Sequence, residues 1–147
     1  MADVFKNKLY IGCALTNLPP DKKEEFLNMV SKLKQELKKH FELLEFLGID
    51  DLLTNKPFTP REIYTYDIKN CLMKADCFLA ICDYPALGLG YEIGTAVEKR
   101  GIPVLAVAHK DSKVSRSIIG IDHKNFNFYY YNSVDEIISK TLETLTN

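Results

Sequence analysis

The chain has 147 residues, with 19 basic and 20 acidic side chains and a formal net charge of -1. Its apolar fraction of 46% is enough to bury the core of one domain spanning residues 1–147 without covalent staples. So even a charge balance gives no reason to expect a nucleic acid polymer or a membrane as partner, and any anion site has to be local.

Four cysteines, Cys13, Cys71, Cys77 and Cys82, lie in or beside apolar runs and form no Cys-x-x-Cys pair. That pattern points to reduced core residues of a cytoplasmic protein, and not to a zinc or redox site. His109 and His123 also lack metal-ligand spacing, so no metal is expected. No apolar run is long enough to span a bilayer.

Taken in order, Leu9 to Leu15 is a nearly continuous apolar run, as expected of a central parallel strand. After a loop over Thr16 to Pro20, Asp21 and Glu24 have the spacing of a capping pair. Phe26, Val30, Leu33, Leu37 and Phe41 then recur at helical spacing, with Lys32, Lys34, Lys38 and Lys39 on a solvated face. Phe41 to Ile49 can continue that helix or form a second strand, and its place after a helix favours a strand. Asp50 to Pro60 is expected to be a loop, with Pro60 opening a helix that runs to about Ala75. On that helix Tyr64, Ile68, Cys71, Leu72 and Ala75 share a face, and Asp67 falls at its edge.

Cys77 to Cys82 and Ile102 to Ala108 are two further apolar strands, separated by a helix expected over Gly90 to Arg100 and closed by Gly101. Strand, helix, strand at this spacing means a right-handed parallel crossover. Asn127 to Tyr131 supplies a fifth strand, and Ser133 with Glu136 caps a last helix. The expected fold is a single doubly wound α/β domain, flavodoxin-like or Rossmann-like, with a five-stranded, mainly parallel sheet.

In such sheets ligands bind beyond the carboxyl ends of the strands. Three loops qualify: Cys13 to Pro20, Asp83 to Gly90, and Ala108 to Ser117. The middle one leads into Gly88-Leu89-Gly90-Tyr91-Glu92-Ile93-Gly94, where Gly88 and Gly90 would let backbone approach a phosphate or ribose. A Gly-x-Gly-x-x-x-Gly pattern also fits a dinucleotide loop or tight helix packing, but a Rossmann loop normally follows the first strand, and this one follows the third. Glu92, expected in the first helical turn, would be held as an anion by the free N–H groups there, or be an ordinary helix-start acid. Tyr129, Tyr130 and Tyr131 suit a core or an interface better than base stacking.

The segment ADCFLAICDYPALGLGYEIGTAV, residues 75–97, resembles the signature stretch of the nucleoside 2-deoxyribosyltransferase superfamily, especially its 2'-deoxynucleoside 5'-monophosphate N-glycosidase branch. LYIGCAL resembles that family's first strand, YTYDIKNCLMKAD its acid-bearing helix, and Ser112 to Gly120 its later serine-containing loop. The resemblance implies cleavage of the N-glycosidic bond of a deoxyribonucleoside or its 5'-phosphate, with no cofactor. It casts Glu92 as the nucleophile, Asp67 as a second active-site carboxylate and Tyr10 as the residue that sets the nucleophile. Gly12, Ala86, Gly88, Gly90, Ser115 and Ser117 are expected around the substrate, where the N–H groups of Gly88 and Gly90 with Ser115 or Ser117 would hold a phosphate. Ser115 matches a serine that reaches a neighbouring subunit's site, which implies a homodimer with shared active sites.

The chain departs from this branch where the phosphate should be held. It has Ala14, Thr16 and Ala86 at the positions of two serines and an arginine, so two hydroxyl donors and a guanidinium are missing. The sequence leaves three functions open: the monophosphate hydrolase, a deoxyribosyltransferase acting on free nucleosides, and a non-catalytic nucleotide sensor. A nicotinamide-type dinucleotide domain is a more distant alternative.

Overall fold

The computed structural model describes residues 6–15, 17–46 and 58–146. Among these residues five strands form one sheet: β1 (Lys8–Cys13), β2 (Glu42–Glu45), β3 (Cys77–Ile81), β4 (Val104–His109) and β5 (Phe126–Tyr131). Their order is β2-β1-β3-β4-β5 and every pairing is parallel, so the sheet is wholly parallel where the sequence led us to expect mainly parallel. Residues of β3, and of β4 up to Ala108, are buried throughout, which is why these strands carry continuous apolar runs with no alternation.

The helices follow from right-handed crossovers. From β1 the chain steps one way to β2 through α1 (Lys23–Leu37), then reverses and steps the other way to β3, β4 and β5. That reversal puts α2 (residues 60–74) and α3 (residues 87–100) on the face opposite α1, where they pack against each other. A short α4 (Arg116–Ile119) follows β4, and α5 (Val134–Leu145) packs beside α1. The switch in direction leaves a crevice between the carboxyl ends of β1 and β3.

Several local expectations change. Asp21 does not cap α1: it lies inside a 3-10 turn, Pro20–Lys22, and among the described residues neither this turn nor α1 has a side-chain cap. Adjacent Pro19 and Pro20 begin the turn ahead of that acid. The helix also stops at Leu37, short of Phe41, which is buried just before β2. A strand does follow there, as Glu42–Glu45; positions 47–57, including most of the expected loop, lie outside the described residues. Pro60 does open α2, behind a Thr59–Glu62 capping box. Tyr64 leaves the expected apolar face and is 42% exposed, while Ile68, Cys71, Leu72 and Ala75 are buried. The cap on α5 is present, with Glu136 N–H donating to Ser133 Oγ at 3.4 Å. Among the described residues no helix is long and apolar enough to cross a membrane, and all four cysteines are free and buried.

Helix α3 ends on Gly101, whose φ of 63° lies in the left-handed region. The following Ile102 N–H donates to the Ala96 carbonyl at 3.3 Å, and Asn125 Nδ2 donates to the Gly101 carbonyl at 2.6 Å. A β-carbon has free space there, so only backbone strain opposes one. Gly101→Ala is therefore expected to cost about 1 kcal/mol in urea unfolding. Gly94→Ala, also with free space but with helical φ of -59°, is expected to leave stability unchanged or raise it by up to about 1 kcal/mol.

Candidate active site

The register of β1 against β3 sets Tyr10 beside Phe78 and Gly12 beside Ala80. Side chains two apart on a strand share a face, so Tyr10 and Gly12 both look toward α2 and α3. The Tyr10 and Phe78 rings stack, with centroids 5.2 Å apart and planes at 27°. Gly12 leaves the space that the site occupies: a β-carbon on it would meet Phe78 Cε1 at 2.9 Å and Glu92 Oε2 at 3.4 Å. Gly12 is thus the floor beneath a carboxylate.

Glu92 is half-buried as a residue, yet its Oε2 is sealed from solvent. The Tyr10 hydroxyl is sealed too, and neither atom has a hydrogen-bond partner among the described residues. The hydroxyl lies close enough to favour the charged carboxylate but falls short of hydrogen-bond geometry. Burial is the larger influence and, with the Asp67 carboxylate adding to it, pushes the Glu92 carboxyl up to about 8. Burial also drives the Tyr10 hydroxyl far above its ordinary value, with Glu92 and then Asp67 adding to the rise.

Asp67 is 8% exposed on α2, in a segment, Tyr64–Cys71, wound as a wider π-helix. That winding accompanies its turn from the edge of the apolar stripe into the interior. Cys71, on the same segment, donates to the Glu45 carbonyl at 3.5 Å. Its thiol is pushed up to about 11 by burial first, then by Asp67 and Glu92. One cluster therefore joins β1, α2 and α3. Phe78 and Cys71 belong to it, although the sequence marked them only as core residues.

Helix α3 differs from expectation in a way that alters the chemistry. It starts at Leu87, three residues before Gly90, so Glu92 sits in the second turn and the first turn holds no acid. The Gly90 N–H is not free, because it donates to the Ala86 carbonyl at 3.2 Å. Glu92 is consequently a desolvated carboxyl with a raised pKa, and not an anion held by helix-start N–H groups. Leu89 and Ile93, both buried, anchor the helix and fix this register. Ala86, at the cap position, supplies no side-chain acceptor.

The residues expected around the substrate fall into two groups. At about 100° per residue, Gly88 and Glu92 lie on one stripe of α3, while Ala86, Gly90 and Ile93 lie on another. The second stripe borders a cavity of about 470 Å³ that Lys113, Ser115 and Ser117 also line. The Ser115 and Ser117 hydroxyls are 2.9 Å apart. Tyr10, Gly12, Asp67, Gly88 and Glu92 do not line this cavity. Thr16 lies outside the described residues.

A second cavity, of about 440 Å³, opens at the carboxyl ends of β3, β4 and β5, beside α1 and α5. Asp83 at its wall accepts from the His109 N–H at 3.0 Å and from the Tyr131 hydroxyl. Burial raises the Asp83 carboxyl, and these two donors oppose the rise. The His109 ring has a structural contact, its Nδ1 accepting the Asp111 N–H at 3.2 Å. The sequence did not single out Asp83, and a lone acid at a strand end carries no signal by which it could have been found.

Because Gly12 leaves the space that Phe78 and Glu92 occupy, Gly12→Ala is expected to destabilise the fold by about 1–3 kcal/mol in urea unfolding.

No family model matches the chain. Among curated proteins, one from Thermofilum pendens bears, as a provisional assignment, the name 2'-deoxynucleoside 5'-phosphate N-hydrolase 1. It is 39% identical over 115 residues, covering 76% of this chain and 79% of that protein. A Methanococcoides burtonii protein with the same provisional name is 37% identical over 52% of this chain and 57% of its own length. Among solved structures, the CMP N-glycosidase of Clostridium botulinum aligns with a TM-score of 0.66 at 19% identity, covering 89% of this chain and 96% of that one. The 2-deoxyribosyltransferase of Bacillus psychrosaccharolyticus aligns at 0.59 and 21% identity, covering 95% and 98%. These two structures show a shared fold, and the Thermofilum match goes further: the chain belongs to the 2'-deoxynucleoside 5'-phosphate N-hydrolase family of enzymes.

Proposed function

We propose that the protein cleaves the N-glycosidic bond of a 2'-deoxynucleoside 5'-monophosphate with Glu92 as nucleophile. The observation that carries this reading is the sealed, unpartnered Glu92 Oε2 set between Gly12, Tyr10 and Asp67 at the crevice between β1 and β3. A carboxylate stripped of water is a stronger nucleophile than a solvated one. Attack on the anomeric carbon breaks the C–N bond, and the base departs with the electron pair and takes up a proton. Water then opens the glycosyl ester and restores the carboxylate. Tyr10 orients Glu92, and Asp67 serves the leaving base or the sugar hydroxyl. Gly88, on the Glu92 stripe, faces the substrate.

A second reading, a deoxyribosyltransferase for free nucleosides, is favoured by Ala86: the start of α3 has no hydroxyl there to offer a phosphate. Supplying a deoxynucleoside, its monophosphate and an acceptor base separates the two. Free base with deoxyribose 5-phosphate supports the hydrolase, and new nucleoside without free sugar overturns it.

The active assembly is a homodimer with shared sites. Support comes from Ser115 and Ser117, which border the flank of α3 away from Glu92 and so suit a neighbour's site. The free, buried cysteines support a reducing cytoplasm as its compartment.

Glu92→Gln is expected to lower kcat by roughly 10³-fold or more while leaving ligand binding largely intact. Equal base release by wild type and variant would remove Glu92 from the nucleophile role. The pH dependence has a definite sign. The charged form is the reactive one, so kcat/KM rises with pH, is half-maximal at about 8 and levels off above it. Stability moves the opposite way: between about 4.5 and 8 the folded state keeps a proton that the unfolded state releases, so stability falls as pH rises through that window. Glu92→Gln flattens that slope in urea unfolding. A Ser115→Ala protein mixed with Glu92→Gln is expected to recover activity that neither has alone, because a mixed dimer rebuilds one intact site.

A further inference from the structure

We propose that Arg100 is a positioning residue that sets the spacing of the two acid-bearing helices and so of Glu92 and Asp67; it rests on the catalytic reading above. Arg100 lies further along α3 than Glu92, at its carboxyl end. Its Nη1 reaches across to α2, donating to the Leu72 carbonyl at 2.8 Å and the Ala75 carbonyl at 3.0 Å. Leu72 in turn donates its N–H to the carbonyl of Asp67. A continuous set of bonds therefore runs from the backbone of α3 to the residue that carries the second carboxylate.

Both ends of this clamp are fixed. On the α3 side, Gly101 turns the chain in its left-handed conformation and Asn125 holds the Gly101 carbonyl. On the α2 side, the carbonyls belong to the closing 3-10 turn, Leu72–Lys74, and to Ala75 after it, where a cation is favoured by the helix dipole. Guanidinium-to-carbonyl bonds are charge-assisted and directional, and a cation capping its own helix would not tie the two helices together. The titratable groups that face Glu92 from neighbouring elements are Tyr10 on β1 and Asp67 and Cys71 on α2. Two of these three ride on the helix that Arg100 holds.

The test uses the full chain with Arg100→Gln and Arg100→Lys, read by steady-state kinetics on a deoxynucleoside monophosphate and by carboxyl carbon NMR titration of Glu92. Arg100→Gln is expected to lower kcat roughly 10- to 100-fold with KM little changed. It also moves the Glu92 midpoint down from about 8, as looser packing admits water. Arg100→Lys, which keeps a donor cation, recovers part of both. A folded Arg100→Gln with a lower Tm but wild-type kcat and an unmoved Glu92 titration overturns the proposal, leaving Arg100 a helix-end stabiliser. Failure of both variants to fold overturns it as well. If the wild type turns over no deoxynucleotide, the catalytic reading falls, and the NMR titration still decides the clamp.

Discussion

Desolvation of one carboxyl group is the constraint around which this protein is arranged. An acid taken out of water without a formed hydrogen bond favours its neutral form, and Glu92 responds with a pKa of about 8. The fold tolerates that because the surroundings are built for it. Gly12 leaves room under the carboxylate, Tyr10 presents a hydroxyl that eases its charge, and Phe78 stacks on Tyr10 to hold it in place. Each of these side chains sits where it does through the β1–β3 register. A one-residue slip in that pairing would turn the whole set to the other face of the sheet.

The glycine-rich elbow is built differently from what its composition suggests. Gly88 and Gly90 look like a phosphate cradle, but α3 already includes both, and the Gly90 N–H is spent within the helix. What the elbow supplies is an early helix start, which carries Glu92 into the second turn and onto the same stripe as Gly88. The first turn gains nothing from Ala86, whose side chain has no acceptor to cap it. Phosphate recognition is for this reason the part of the proposed activity with the least side-chain chemistry behind it.

The two faces of the sheet also divide the polar chemistry. On the α2 and α3 face lie Tyr10, Asp67 and Glu92, while the cavity bordered by Ser115 and Ser117 lies along the other flank of α3. At the edge nearer α1 and α5 lies Asp83, whose oxygens accept from Tyr131 and His109, so its polar groups are satisfied by the fold itself. Satisfied against unsatisfied is the physical difference between the two acids, and it is why the proposed chemistry rests on Glu92.

The sequence alone determined the sheet, the order of its elements and the family. Continuous apolar runs mark buried parallel strands, and helical spacing marks the cover, because both are local consequences of which face meets water. Local patterns also led to Glu92, Asp67 and Tyr10 as candidates, through three segments whose residues resemble those of a known family. Tertiary structure decided what those patterns do not contain. Whether an acid near a helix start is an exposed, dipole-held anion or a desolvated one depends on where Leu89 and Ile93 pack, which shifted the start of α3 to Leu87. Whether Asp67 points inward depends on a π-wound segment, and the link from Arg100 to Leu72 and Ala75 joins residues far apart in the chain. Spacing along one element carries no information about such contacts, because they are set by how two helices settle on the same face of a sheet.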